Sequence, residues 1–522
     1  MKIRYSMALL IVFVVVLASV MVYVEGLRSQ SIATALTQTG YSYPLGCLRG
    51  NGNPRNVVLL IGDGMGYSHI YATQLVYRYL NMSILFNTTG IAINYAKDNI
   101  VPDSAGAGTA IATGFITLNR MISMVEIEGR EVPVMSILEL AKRLGMSTGL
   151  VTTTRVTHAT PAVFASHVPH RDMEDKIAVQ IIENEVDVIL GGGARFFTKD
   201  LLNQAKQKGY TVVFNRSMLL EVDPKLTKKL LGLFADSHIP YVLDRGVGTP
   251  GLLEMTMKAI SILERNPCGF FLMIEGGRID HAAHSNDIAS VVAETKEFDD
   301  VVGYVMLYAR NRGDTLVIVT ADHETGGLTI GLSTEIPTNI SLVRTVKVSA
   351  EKIAGEIRRV NTTDQVKEVI YKYTNVIISD EEARSILALR SASEIGKIVS
   401  KHFSVLWAST SHTASPVPVF AYGPGSKLFS GMYNHQTYIP KAITRLLLLG
   451  VDTHTVHIGT RPPIRGDINS NGISDIGDII IAIMYFLGKE ADDSSKVIDL
   501  NFNGVIDIED IYILYKELYL GK

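Results

Sequence analysis

The chain has 522 residues, is 47% hydrophobic and 19% charged, and carries a formal net charge of −3. That balance excludes a disordered chain and argues against non-specific nucleic-acid binding. Two cysteines, Cys47 and Cys268, are too few for a disulfide scaffold, and the length leaves room for one large domain and a small one.

Lys2 and Arg4 precede an apolar run from Met7 to Val24. Residues 1–26 therefore read as an export signal, either cleaved or retained as an anchor, which predicts a secreted or cell-surface protein. Residues 27–53, rich in Thr, Gly and Tyr, read as an N-terminal arm. Cys47 and Cys268 could pair, but a buried thiol at Cys268 is the expected state.

Val57 to Ile61 is an unbroken apolar run, as suits a strand buried on both faces. It ends in Gly62-Asp63-Gly64-Met65-Gly66, where glycine permits a sharp turn. The pattern returns. Thr148 to Val151 leads into three threonines, Val186 to Leu190 into three glycines, and Phe270 to Ile274 into Glu275. Leu316 to Val319 leads into Thr320-Ala321-Asp322-His323, and Val417 to Tyr422 into Gly423. Helical patterns such as Met135 to Leu144 and Ile288 to Tyr308 lie between them. This alternation predicts an α/β fold with a mostly parallel sheet covered on both sides, and ligands beyond the strands' carboxyl ends. Residues 331–405 break the rhythm and read as an insertion near the site.

Asp103-Ser104 opens a run of small residues, Ala105 to Ala110. A serine there sits at a helix start, where unpaired N–H groups and the dipole suit a phosphate. No histidine lies beside it, so a nucleophilic Ser104 needs another source of activation, and metal coordination is one. Metal-ligand types are plentiful at the strand ends: Asp63, Glu275, Asp280, His284, Asp322, His323 and, later, His412. Asp280 and His284 are four apart and share one helix face. Carboxylates mixed with imidazoles suit Zn²⁺, whereas Glu275 with a hydroxyl such as Thr160 suits Mg²⁺. Any one of these residues has an ordinary structural explanation; their recurrence at successive strand ends does not.

These motifs resemble the alkaline phosphatase family over about Pro54 to His457. The resemblance rests on Gly62-Asp63-Gly64-Met65-Gly66, Pro102-Asp103-Ser104-Ala105, His158-Ala159-Thr160-Pro161, His167 to Arg171, Glu275 to His284, Thr320 to His323 and Ser411-His412-Thr413. It implies a three-layer α/β/α sandwich, residues 54–460, that hydrolyses phosphate monoesters through a phosphoserine and works as a homodimer. It further implies two zinc ions, one held by Asp280, His284 and His412 and one by Asp63, Asp322 and His323. Magnesium would sit with Asp63, Thr160 and Glu275. Ser104 would be the nucleophile, Arg171 would grip the phosphate, and His158 would lie beside it, near the magnesium site. His158 and His281 resemble the animal-type members, and the missing carboxylate at position 158 predicts a need for added magnesium.

After a linker over residues 461–465, the chain becomes acidic, with a net charge of −6 from Ile464 onward. Asp467, Asn469, Asn471, Asp475 and Asp478 fall at positions 1, 3, 5, 9 and 12 of a calcium loop with Gly472 at 6, and an apolar helix follows. Asp499, Asn501, Asn503, Asp507 and Asp510 repeat the spacing around Gly504. The duplicated loop–helix unit, residues 466–522, resembles a type I dockerin, a small all-α module. That implies two Ca²⁺ ions and a cohesin-bearing surface or scaffold partner.

Overall fold

The structure, a computed structural model, describes residues 53–127, 129–433, 435–448 and 507–520. All of these belong to one contact unit, Arg49–Lys522. Its centre is a ten-stranded sheet whose strands are, in chain order, β1 (Asn56–Ile61), β2 (Thr88–Ala92), β3 (Ser147–Arg155), β4 (Val188–Gly192), β5 (Tyr210–Val213), β6 (Lys229–Leu233), β7 (Phe270–Glu275), β8 (Thr315–Thr320), β9 (Val417–Tyr422) and β10 (Gly431–Tyr433). Their spatial order is β10-β2-β9-β8-β1-β7-β3-β4-β6-β5. The seven strands from β8 to β5 are parallel. β9 is antiparallel to β8 and to β2, so it alone runs against the others.

Every residue of β1, β7 and β8 is buried, which is why their sequences are unbroken apolar runs. Helices cover the sheet in two groups. Leu252–Leu263 packs with Ile288–Arg312, and Ser104–Thr113 packs with Ile137–Arg143 and Tyr438–Leu448. The long Ile288–Arg312 helix is framed by local chemistry. Asp287 Oδ1 accepts from the N–H groups of Ala289 and Ser290, and Gly313 ends it at φ 73°.

Within residues 331–405 four helices, Ala350–Ile357, Thr363–Thr374, Asp380–Leu389 and Ala392–His402, build a second core around Ile353, Ile370, Ile386 and Ile395. One side chain of this segment, Glu351, accepts from Arg278 Nη2 at 3.2 Å. Arg278 opens a ligand-bearing helix, so the insertion touches the site from its flank.

Cys268 is disulfide-bonded, which corrects the expected free thiol. The chain's other cysteine, Cys47, lies outside the described residues, as do the apolar run Met7 to Val24, the arm and the linker. Among the described residues no helix is long and apolar enough to cross a membrane. Of the repeated acidic loops, only Asp507 and Asp510 are described; Asp467, Asn469, Asn471, Asp475, Asp478, Asp499, Asn501 and Asn503 lie outside.

The last helix, Ile508–Leu520, rests on Ile137–Arg143. Ile508, Ile511 and Leu514 are fully buried in the main core. Arg143 donates to Glu509 at 2.9 Å and stacks over the Tyr512 ring, and Met135 N donates to Asp507 Oδ2 at 3.3 Å. Truncating Ile511→Ala removes buried contact worth about 2–5 kcal/mol. The expected outcome is rapid hydrogen exchange over 508–520 with the body of the sheet still protected; unchanged protection of this helix contradicts the packing.

Candidate active site

Beyond the carboxyl ends of β1, β7 and β8, four segments converge. Asp63 follows β1 in a turn that needs glycine: Gly64 has φ +71°, and a Cβ there would lie 2.8 Å from the Asp280 Cα. Glu275 ends β7, and its Oε2 accepts from the hydroxyls of Thr152 and Thr154. The helix Arg278–His284 carries Asp280 and His284 one turn apart, with His284 Nε2 3.3 Å from Asp280 Oδ2. Asp322 follows β8, and its Oδ1 accepts from the N–H groups of Gly64 (3.1 Å) and His323 (2.9 Å). His412 arrives on a two-residue strand, His412–Thr413, paired with Glu324–Thr325.

The result is three groups of potential metal ligands, each with its ligand atoms within 4.8 Å of one another: Asp280, His284 and His412; Asp63, Asp322 and His323; and Asp63, His158 and Glu275. Asp63 belongs to two of them, so the groups adjoin. The first two match the expected zinc sets. The third differs from expectation by including His158. Thr160 is close by on the short helix Ala159–Ala162, with its Oγ1 3.4 Å from Asp63 Oδ2.

Ser104 is the first residue of the helix Ser104–Thr113 and is buried. Asp103 caps that helix, its Oδ1 accepting from Gly106 N at 2.9 Å and from Arg120 N at 3.0 Å. Ser104 Oγ lies 3.3 Å from His323 Nε2, beside the second group. The Arg171 guanidinium is held from two sides. Nη1 donates to Asp103 Oδ2 at 2.8 Å, and Nη2 lies 2.9 Å from His158 Nε2. Nucleophile candidate and cation are thus fixed by the same capping aspartate.

The charge state of this cluster follows from burial. Burial pushes Glu275 up to about 7 and Asp322 up to about 6, with carboxylates nearby adding to the rise. Burial raises Asp63 well above the carboxylate range, and Asp322, Asp280 and Glu275 raise it further. Asp280 is the exception. Burial opposes its charge, but His284 and His412 outweigh that and hold it well below the usual range. Burial and the Arg171 charge drive His158 well below its ordinary value, so it is neutral.

The donor set fits divalent cations. Asp63 Oδ1, Asp322 Oδ2 and Glu275 Oε1 are buried and lack a hydrogen-bond partner. Orphaned buried acceptors are costly, and here they sit in the groups whose geometry could hold an ion.

Some functional neighbours were not legible beforehand. Thr152 and Thr154 stand out in the sequence only as polar residues at a strand end, yet they orient Glu275. His238 has no sequence signal at all; its ring lies 4.3 Å from that of His281 and 5.7 Å from that of His158.

Comparison with known proteins agrees with this geometry. Residues 54–449 match the alkaline phosphatase family. Alkaline phosphatase 4 of Bacillus subtilis (strain 168) is 38% identical over 411 residues, covering 73% of this chain and 86% of its own. The crystal structure of Thermus thermophilus alkaline phosphatase superposes with a TM-score of 0.70 at 29% identity, covering 80% of this chain and 98% of that one. A substituted TAB5 alkaline phosphatase with magnesium bound in its M3 site gives a TM-score of 0.58 at 28% identity, covering 76% and 98%.

The raised carboxylates set a pH dependence for the protein stripped of cations. Unfolded Asp and Glu ionise near 3.8 and 4.5, whereas folded Asp322 and Glu275 hold their protons to about 6 and about 7. The folded state binds more protons between those values, so stability is lost as pH rises through the folded range. In chelator, Tm should fall from pH 5 to pH 8, and added zinc should reverse the fall. A flat profile contradicts the burial of these groups.

Proposed function

This chain belongs to the alkaline phosphatase family, and on that premise we propose that Ser104 is the nucleophile of this phosphoric monoester hydrolase. The observation that carries the assignment is the position of Ser104 Oγ, 3.3 Å from His323 Nε2, at a helix N-terminus beside a ligand group that shares Asp63 with a second.

Arg171 offers a planar fork to two phosphate oxygens, and Asp103 and His158 keep that fork from swinging away. The first N–H groups of the Ser104–Thr113 helix add positive potential at the same place. Ser104 Oγ attacks phosphorus in line with the leaving oxygen, the ester bond breaks, the serine's proton ends on the departing alcohol, and a phosphoserine forms. Water then attacks from the vacated side, releasing inorganic phosphate and returning a proton to Ser104. Bound in the groups described, two zinc ions and one magnesium would supply Lewis acidity for the attacking and leaving oxygens and balance the buried carboxylates. Asp280, His284 and His412 would hold one zinc, Asp63, Asp322 and His323 the other, and Asp63, Thr160 and Glu275 the magnesium. A TAB5 alkaline phosphatase carrying a His-to-Asp substitution holds magnesium in its M3 site, which supports a third ion site in this fold.

The remaining features are read from the sequence. Residues 1–26 direct export, the catalytic domain spans 54–460 and forms a homodimer, and the module from 466 onward binds two Ca²⁺ and docks on a cohesin-bearing partner. The doubled ligand spacing supports the calcium reading, as does the burial of both Asp507 and Asp510.

The test of the activity is hydrolysis of p-nitrophenyl phosphate beside bis-p-nitrophenyl phosphate. The monoester should be cleaved, the diester hardly at all, and chelator should abolish the rate. Ser104→Ala should lower kcat by about 10³-fold or more. A diester preferred over the monoester would favour a phosphodiesterase instead. Calcium should slow hydrogen exchange in 508–520 and EGTA should undo this; insensitivity to both contradicts the calcium reading.

A further inference from the structure

We infer that Thr325 is a positioning residue that joins the two proposed zinc groups through a single buried hydroxyl. This rests on the two-ion reading above. Thr325 Oγ1 lies 2.6 Å from Asp280 Oδ1 and 3.2 Å from His323 Nδ1. Asp280 belongs to one group and His323 to the other. The residue is fully buried, so water does not compete for these contacts.

The proton assignment follows from donor counting. A hydroxyl has one proton to give, and an ionised carboxylate only accepts. Thr325 therefore donates to Asp280, which leaves its lone pairs for His323. The partner nitrogen of His323, Nδ1, must then carry the hydrogen. Nε2 is left with its lone pair, 3.3 Å from Ser104 Oγ, 3.2 Å from Asp322 Oδ2 and 3.6 Å from Asp63 Oδ1. That nitrogen faces the remaining ligands of its group. One hydroxyl thus sets the tautomer of one ligand and the orientation of another.

The strand that carries the hydroxyl is itself held in place. Thr325 N donates to Gly64 O at 3.1 Å, which ties it to the Asp63 turn. Across the short ladder Thr325 faces His412, and Glu324 faces Thr413. The Glu324 carboxylate accepts from the Thr413 hydroxyl and from Gly327 N, so the two strands cannot slip. Glu324 also fills the space above Gly66, where a Cβ would come within 2.3 Å of its Cγ. The pair Glu324-Thr325 therefore locks three ligand-bearing segments in register.

Outer partners of metal ligands typically change metal affinity by about 10–100-fold. Thr325→Val keeps the shape and loses the hydroxyl, and Thr325→Ser keeps the hydroxyl. Zinc transfer from the full-length protein to a chromogenic chelator reads both ions without reference to activity. The expected result is that Thr325→Val gives up both zinc ions about 10–100-fold more readily, whereas Thr325→Ser matches wild type. Retention of both ions by Thr325→Val, weakening of one ion alone, or equal loss in Thr325→Ser overturns the inference. Nitrogen-15 histidine NMR of the zinc-loaded wild type tests it without any variant: His323 should show a protected proton on Nδ1, and a proton on Nε2 overturns it. Wild type that binds no zinc pair overturns the two-ion reading and the positioning role of Thr325 together, an outcome separate from the others.

Discussion

Four carboxylates, Asp63, Glu275, Asp280 and Asp322, are buried within one small volume at the sheet's carboxyl edge. Like charges in a low-dielectric interior repel strongly, and burial alone disfavours each charge. Only Asp280 has enough imidazole neighbours to keep its charge. The others are pushed toward neutrality or left with oxygens that nothing in the protein satisfies. The cluster is thus incomplete as a piece of protein. It becomes electrostatically reasonable with divalent cations.

The parallel sheet explains how such a cluster is assembled. β1, β7 and β8 are adjacent and run the same way, so Asp63, Glu275 and Asp322 leave the sheet at one edge. Glycine at position 64 lets the first of these turns touch the helix that brings Asp280 and His284. His412 comes from far along the chain, after the helical insertion, and is placed by a two-residue ladder rather than by the sheet. Ser104 is supplied by a helix whose capping residue also restrains Arg171. The candidate residues are therefore gathered from several elements, and the energetic cost of gathering them is met by the strand core behind.

The tail helix qualifies the picture of a free docking module. Ile508, Ile511 and Leu514 lie in the same core as the catalytic sheet, and Arg143 reaches Glu509 and Tyr512. At least its last element is integrated with the body, close to the Ile137–Arg143 helix.

From sequence alone came the α/β class, the strand ends as the location of chemistry, and most of the ligand types. Apolar runs ending in Gly, Asp or Glu are local patterns, and burial on both faces dictates them. The helix start at Ser104 was equally legible, since a cap and small residues are neighbours in the chain. The reversal of β9 was not, because strand direction is settled by pairing rather than composition. Nor was the disulfide state of Cys268, or the place of Thr325 between Asp280 and His323. Those depend on distances between residues tens to hundreds of positions apart, and such distances exist only once the sheet has closed and the segments have packed.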